Sequence, residues 1–598
     1  MQRLKKDGKL LLLINAFFDK IIHMNAFFYK SHKEIDNSDT PSLIEQKRKK
    51  YDEYSKQELI EEIKQLKKRK KYGLVWEDKK EDVVEMCKEK LPILKEVKNK
   101  EIITDKNKPV NLLIEGDNYH ALSVLNYTHA KKIDVIYIDP PYNTGAKDWK
   151  YNNSFVDIND AYRHSKWLDM MSHRLNVAKN LLKNDGVLIC AIDENEFYRL
   201  GSLLENIFKG CEIHCVTIVH NPRGVQGNNF SYTHEYAYFV FKKNEKVIGR
   251  RKIKEDKIYW SNLRNWGGES LRTDARNCFY PIIIKGNKII SFGNVPDKNF
   301  HPKKQTEEKN EQYYVWPIDT KGVERKWRYA RQSVESIIDL LRIKKSSERI
   351  EIMIGKDYGT VKTVWQDSKY DAAEYGTKLV HALVPKTHFD FPKSVYNTFD
   401  CLAPILYQRK NAIILDYFAG SGTTGHAVMI LNRKDDGKRQ FILCTNNEND
   451  IAQEVCYPRI KKVINGHEDY PDITGILANL KYFKTDFVDA EPTDRNKIKL
   501  TAEAIEMLCI KEGTFEQIID DKKIKIFKNS NHYTGIIFDQ IVIPNFKKAI
   551  KDIKGKFSVY VFSLGDETFD DEFKDLKKKI KLSPIPEAIL RVYRRIFR

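Results

Sequence analysis

Two short stretches carry residues whose types and order could do chemistry. The first is Lys132-Ile-Asp-Val-Ile-Tyr-Ile-Asp-Pro-Pro-Tyr-Asn143. Val135 to Ile138 form an apolar run without helical spacing that stops at a double proline, so it reads as a buried strand of a sheet covered on both faces. The prolines end the ladder and leave Asp139 and Tyr142 at the carboxyl end of that strand, where open α/β sheets bind their ligands. An acceptor carboxylate, the rigid pair Pro140 and Pro141 with its first carbonyl free, and an aromatic ring suit a planar group that bears an amino function. Asp139 and the Pro140 carbonyl accept both hydrogens of an exocyclic NH2, and Tyr142 stacks on the ring.

Asp139-Pro-Pro-Tyr142 resembles the catalytic motif of DNA amino-methyltransferases, which methylate N6 of adenine or N4 of cytosine. The second stretch, Ala412-Ile-Ile-Leu-Asp-Tyr-Phe-Ala-Gly-Ser-Gly-Thr-Thr-Gly425, runs strand, glycine turn, helix. Gly420 and Gly422 permit a tight turn, and the helix from Thr423 or Thr424 presents free N–H groups to a carboxylate. Asp416, just before the turn, pairs with a cationic amino group. One partner for a carboxylate and one for an ammonium suit the amino-acid end of S-adenosylmethionine. No phosphate-binding Gly-x4-Gly-Lys-Ser/Thr occurs. Farther on, Arg439 to Glu448 reads as a strand followed by polar residues, with Glu448 as the acceptor for ribose hydroxyls and Asn447 and Thr445 behind it.

The elements that must hold these stretches are spread over a long chain. Its 598 residues are too many for one core and imply roughly three to five domains. Lysine plus arginine exceed aspartate plus glutamate by 104 to 84, a net charge of +20, which favours a polyanionic partner. Nine scattered cysteines without paired CxxC motifs point to a reducing compartment and away from a zinc ribbon, and no metal site is expected. Cys211 and Cys215 pack as small apolar residues of a strand. The apolar run from Lys9 to Phe18 is too short for a membrane span and lacks a cleavage signature, and Met24 is a candidate translation start.

In chain order, Ser55-Lys-Gln-Glu58 caps a helix striped by Leu59, Ile60, Ile63 and Leu66. From Asn111 the pattern turns α/β: strands at Leu112–Ile114 and Val135–Ile138, a mobile polar loop at Tyr151–Asp160, and an amphipathic helix through Trp167, Met171, Leu175 and Ala178 ending near Asn184-Asp-Gly186. Strands follow at Val187–Ile192, Cys215–Val219 and Tyr232–Phe241, the last with His234 or Tyr236 walling the base pocket. Residues 246–375 interleave aromatics with cations; Arg264, Trp266, Arg272, Arg276, Trp327 and Arg328 are the candidates for phosphate contact and base reading. The tail holds a helix around Ala502–Leu508, a strand at Ser558–Phe562 and a basic helix from Pro586.

The two motifs in this order, with a long basic insertion between them, resemble the β class of DNA amino-methyltransferases. Tyr72-Gly-Leu-Val-Trp76, Leu91-Pro-Ile-Leu94, Ile114-Glu-Gly-Asp-Asn-Tyr-His-Ala-Leu122, Tyr162-Arg-His-Ser-Lys-Trp167, Tyr280-Pro281, Trp316-Pro317 and Trp365-Gln-Asp-Ser368 extend the likeness to modification subunits of Type III restriction-modification systems. The resemblance implies an α/β fold: a doubly wound, Rossmann-like sheet assembled from two sequence-distant halves. Residues 106–245 would form the catalytic half and 376–485 the cofactor half, with an α+β target-recognition domain at 246–375, a helical extension at 1–105 and a dimerisation or docking domain at 486–598. It puts Asp117 and Asn118 near the cofactor adenine and Phe389 to Ser394, with Lys393, near its methionine end. Asp416, Phe418, Ala419, Gly420, Ser421, Gly422, Thr423 and Thr424 would surround its centre. Thr445 departs from the glutamate-centred ribose pattern of simpler β-class enzymes.

The expected reaction is direct transfer of a methyl group from S-adenosylmethionine to N6 of an adenine flipped out of double-stranded DNA. No Pro-Cys dipeptide is present, and none is needed where nitrogen is the nucleophile. The motif opens on aspartate rather than serine, which favours adenine over cytosine N4. Expected partners are DNA, a second copy of the chain and a separate restriction (helicase/nuclease) subunit, in the bacterial cytoplasm at the nucleoid. Two other readings stand beside this one: a DNA-binding regulator with a decayed catalytic core, and an RNA or protein-glutamine methyltransferase with a related diproline motif.

Overall fold

The structure, a computed structural model, describes residues 80–597 apart from 145–161, 467–473 and isolated positions at 227–228, 254, 347–348, 386, 388, 390–391, 531 and 566, together with 57, 60, 76 and 77. The helix capped at Ser55, the loop Tyr151–Asp160 and the candidate start at Met24 lie outside the described residues.

A ten-stranded sheet organises residues 80–489. Its elements are α1 (Asp82–Glu89), β1 (Lys90–Glu96), β2 (Val110–Glu115), α2 (Asn118–Thr128), β3 (Ile133–Ile138), α3 (Arg163–Lys179), β4 (Leu182–Ile192), α4 (Phe197–Ile207), β5 (Cys211–Val219), β6 (His234–Lys242) and β7 (Val364–Trp365). They continue with α5 (Val395–Leu406), β8 (Ile413–Asp416), α6 (Thr423–Asp435), β9 (Gln440–Thr445), α7 (Tyr457–Asn465) and β10 (Asn479–Asp489). The strand order is β1-β10-β2-β9-β8-β3-β4-β6-β5-β7. Strands β10 to β4 all run parallel, and β6 enters antiparallel between β4 and β5. Every residue of β3 is buried, as expected for a strand covered on both faces.

The two faces are covered by different parts of the chain. Ile136, Ile138 and Leu188 face a core shared with α2, α3 and α4, where Trp167, Met171, Leu175 and Ala178 lie as their spacing requires. Val135, Tyr137 and Val187 face the opposite core, built on Phe399, Leu402 and Leu406 of α5, Val428 of α6 and Ile460 of α7. The halves therefore interlock: each supplies strands to the common sheet and helices to one side of it.

Several boundaries differ from the sequence expectation. Helix α3 stops at Lys179, and Asn184-Asp-Gly186 falls inside β4, where the register against β3 slips between Leu182 and Val187. Strand β1 joins the sheet edge by pairing with β10, so residues 90–96 belong to the sheet rather than to an N-terminal extension. A boundary at 485 would cut β10 in two. The insertion is closed at its neck by pairing of Arg251–Lys252 with Tyr358–Gly359, and β7 returns Trp365 to the main sheet beside β5. Between neck strands, a three-stranded and a four-stranded antiparallel sheet enclose a separate core around Leu263, Tyr280, Trp327 and Ile352.

The tail folds as a five-stranded sheet from Glu516 to Ile585 with its own core around Phe546 and Val559. Its helix Ile505–Glu512 also buries Met507 and Leu508 in the core that contains α2, and Tyr593 donates a hydrogen bond to the Pro92 carbonyl of β1. A chain ending at Ala490 would uncover that shared apolar surface. It is expected to melt well below the full chain or to aggregate, as followed by differential scanning fluorimetry; equal melting temperatures would show that the tail is not part of the fold.

Candidate active site

The site forms where β3 and β8 lie side by side. Ile414 pairs with Val135 and Leu415 with Ile136, so the two strands end together although nearly half the chain separates them. Tyr142 and Phe418, which follow those ends, belong to one buried cluster.

Asp139 is only partly enclosed, its side chain 29% exposed, and Lys393 Nζ lies 3.3 Å from its Oδ1. Burial pushes the Asp139 carboxyl up, with Lys393 opposing. Trp167 Nε1 donates to the Pro141 carbonyl at 2.7 Å, which fixes the diproline turn from α3. The Pro140 carbonyl accepts no hydrogen bond among the described residues. Asn143 takes a positive φ of 58° and donates to the buried Glu196, which also receives His164 Nδ1 at 2.5 Å. A partly exposed carboxylate, a carbonyl without a partner among the described residues and a buried aromatic ring thus follow one another on a braced turn.

Behind Asp139 stands a residue that the sequence pattern did not single out. Glu235, 2% exposed at the head of β6, accepts from Lys393 Nζ at 2.6 Å, from Asn397 Nδ2 at 2.7 Å and from the Tyr142 hydroxyl at 3.3 Å. Lys393 also donates to the Tyr142 hydroxyl. Burial pushes the Glu235 carboxyl up, but Lys393 and His220 more than offset this and hold it below the usual range. His234 and Tyr236, expected at the pocket wall, alternate with Glu235 along β6; His234 Nε2 meets the Tyr236 hydroxyl at 3.0 Å, and Tyr236 packs on Phe197. Strand periodicity sends them to the other face of the sheet. A buried acid between aromatics in a strand was the available signal.

The glycine turn is built as the sequence predicts. Gly420 and Gly422 take φ of 48° and 82°, and α6 starts at Thr423. Ala419 N donates to the Cys444 carbonyl of β9 at 3.1 Å, tying the turn to its neighbour. Asp416 does not face outward: its Oδ1 accepts from Phe418 N at 3.0 Å and its Oδ2 from Thr424 Oγ1 at 2.5 Å. Burial pushes its carboxyl up to about 7. Ser421 and Thr423 are held from behind by Arg459, whose Nη1 donates to both hydroxyls at 2.8 Å. Arg459 is fully buried and pushed down to about 10 by that burial. Its spacing from the turn hid it from sequence reasoning.

Asp117 caps α2 by accepting from Tyr119 N at 2.7 Å, and Asn118 Nδ2 donates to the Tyr417 carbonyl at 3.0 Å, which carries the catalytic half onto the glycine turn. Arg174, another unanticipated residue, bonds Asn118 and pairs with Glu81 at 2.6 Å and Asp117 at 3.4 Å. Ser394 caps α5 and donates to the Lys369 carbonyl at 2.7 Å. Glu448 lies half-buried after β9, accepting from Asn446 Nδ2 at 3.3 Å, and Asn446 Oδ1 is buried without a partner among the described residues. A glycine turn running into a long helix, with the partnerless Asn446 amide oxygen and the Glu448 carboxylate after β9 and the Asp117 carboxylate after β2, fits a ligand with an amino-acid end and a nucleoside end.

The insertion divides the six expected DNA contacts. Arg264 donates to the Ile318 carbonyl and pairs with Glu351; Arg272 bonds the Phe300 and Asp297 carbonyls and Glu324; Trp327 Nε1 donates to the Tyr280 carbonyl. All three are buried and spent on the domain's own framework. Trp266, Arg276 and Arg328 remain exposed.

Residues 133–455 match the profile of a protein family described as DNA methylase. The Mod subunit of the EcoPI Type III restriction-modification enzyme of Escherichia phage P1 is 30% identical over 386 residues, covering 56% of this chain and 58% of that protein. The Type II methyltransferase M.KpnI of Klebsiella pneumoniae is 30% identical over 398 residues, covering 62% of this chain and 88% of that protein. The StyLTI Mod subunit of Salmonella typhimurium is 28% identical over 408 residues, covering 62% and 58%. The match thus spans a little under three fifths of the two Mod subunits.

Asp416 gives the site a pH signature. Its unfolded carboxyl titrates near 3.8 and its folded one at about 7, so the folded state holds an extra proton between those values and loses stability as pH rises through that window. Asp416→Asn is expected to remove this slope. Melting temperatures of both proteins from about pH 4 to about pH 8 check it; parallel curves would mean that Asp416 does not titrate there.

Proposed function

The chain belongs to the DNA methylase family, and from that premise we propose that it transfers a methyl group from S-adenosylmethionine to N6 of adenine in DNA. The observation that carries this reading is the parallel junction of β3 and β8, which sets the cleft-facing Asp139 next to the glycine turn. The cofactor supplies an electrophilic methyl group on a sulfonium. Everything else is orientation and electrostatics by the chain's own residues.

Asp139 accepts one hydrogen of the adenine amino group and the Pro140 carbonyl the other, which turns the nitrogen lone pair out of conjugation with the ring. Tyr142 stacks on the base. The N–H groups at the start of α6 hold the amino-acid carboxylate, and the Asp117, Asn118 and Glu448 oxygens hold the nucleoside end. Lys393 stands on the Asp139 side of the site, so its part is with the acceptor carboxylate. Because a stacked base cannot reach a strand end inside the fold, the adenine is flipped, at a cost of about a few kcal/mol that phosphate contacts offset.

The insertion is the reader of the DNA sequence. Its exposed Trp266, Arg276 and Arg328 are suited to stacking and phosphate contact, and the net charge of +20 favours the polyanion. The likeness to Mod subunits supports a place in a restriction-modification system, with a restriction subunit and a second copy of this chain as partners. Among the described residues no helix is long and apolar enough to cross a membrane, in keeping with work on chromosomal DNA in a bacterial cytoplasm.

Asp139→Ala is expected to lower transfer of tritiated methyl to adenine in DNA by at least about 100-fold, while calorimetry shows S-adenosylmethionine binding retained. Near-normal turnover of the variant would discard the acceptor assignment, and methyl transfer to RNA or protein but not to DNA would discard the substrate.

A further inference from the structure

The Lys393 ammonium lies between two carboxylates, 3.3 Å from Asp139 Oδ1 and 2.6 Å from Glu235 Oε2. Asp139 opens onto the cleft, whereas Glu235 is 2% exposed and anchored by Asn397 and Tyr142. An ammonium against Asp139 competes for the lone pairs that an incoming amino group needs. A second acid that holds the ammonium more closely relieves that competition without removing the charge.

We propose that Glu235 is a positioning residue that draws Lys393 off Asp139, so that the Asp139 carboxylate meets the target amino group with an open acceptor face. This rests on the methyltransferase reading above and adds a role for a group that does not touch the base. Facing the trio are Tyr137 from β3 and Tyr142 after it, Cys190 from β4, His220 after β5, Cys401 from α5 and Asp416 from β8, while Asp193 and Glu194 approach from the loop after β4. Burial holds His220 down, so near neutral pH Lys393 is the cation of this group. Two acids and one lysine leave a single negative charge. Burial pulls the Lys393 ammonium down, but Asp139 and Glu235 outweigh it and raise it, and the Glu235 charge adds to the burial that raises Asp139.

Glu235→Gln keeps the shape and can keep the hydrogen bond from Asn397 on its remaining carbonyl oxygen, while it removes the charge and puts an NH2 donor where Lys393 and Tyr142 met an acceptor. Lys393 then settles on Asp139. The acid limb of kcat/KM for DNA methylation is expected to move to lower pH, because Asp139 loses a like-charged neighbour and gains the whole lysine. The plateau is expected to fall by about tenfold or more, since the amino group must displace an ion pair. Lys393→Met is expected to move the same limb to higher pH. A loss of activity with the limb unmoved would mean that Glu235 is merely structural and would overturn the proposal.

A second measurement needs no turnover. In protein labelled with 13C at the lysine ε-carbon, the resonance that Lys393→Met removes is expected to titrate at lower pH in Glu235→Gln than in the wild type, and an unchanged titration would also overturn it. Failure of the methyltransferase reading shows separately, as absence of wild-type methyl transfer to DNA with the NMR shift intact.

Discussion

The whole arrangement depends on two rungs of parallel pairing. Ile414 on Val135 and Leu415 on Ile136 are the register that joins two strands separated by nearly half the chain. A parallel ladder needs a long crossover, and here the crossover contains an entire inserted domain. So short a junction holds because each strand is paired again on its far side, β8 with β9 and β3 with β4, and because both cores close over it. A slip of β3 by one residue would turn Val135 and Tyr137 toward α2 and α3 and would carry Asp139 to the other face. Register and reactivity are the same constraint.

That constraint places several charges where water is scarce. Glu235, Asp416 and Arg459 are buried around the strand ends and Lys393 largely so, and each would cost several kcal/mol to bury unpaired. Three of them are answered directly: Lys393 by two acids, Glu235 by three donors, Asp416 by an amide and a hydroxyl. Arg459 is different. Its Nη1 has the Ser421 and Thr423 hydroxyls, yet Nε and Nη2 have no partner among the described residues. It faces the turn at which α6 begins, so this positive charge reinforces the one end of the helix that already favours an anion. The turn is thus rigid from its glycines and electropositive from both the helix and the arginine.

The legible part of this site was the part written locally. Asp139 to Tyr142 and Phe418 to Thr424 each encode a strand end and a turn within a few residues, and a buried apolar run stopped by prolines has few other readings. Even so, local reading assigned Asp416 to an external ammonium, whereas the turn itself uses both of its oxygens. Glu235 and Arg174 could not be read because their meaning lies in partners far along the chain: Lys393 for one, Asn118 and Glu81 for the other. In β6 the aromatics drew the eye to His234 and Tyr236, but alternation gives the cleft to the residue between them. In the insertion, composition correctly marked a cationic, aromatic domain and said nothing about which arginines were inside; Arg264 and Arg272 hold carbonyls of their own fold.

The insertion and the tail are attached by opposite physical means, and that bears on what each can do. The insertion keeps its own apolar core and meets the sheet through two short strands at its neck, so its surface residues can change without disturbing the strand ends that do the chemistry. The tail instead lends Met507, Leu508, Ile589 and Tyr593 to the core behind α2, the helix whose first residues, Asp117 and Asn118, lie beside the glycine turn. The tail therefore shares apolar surface with the core of the main sheet, whereas the insertion keeps a core of its own.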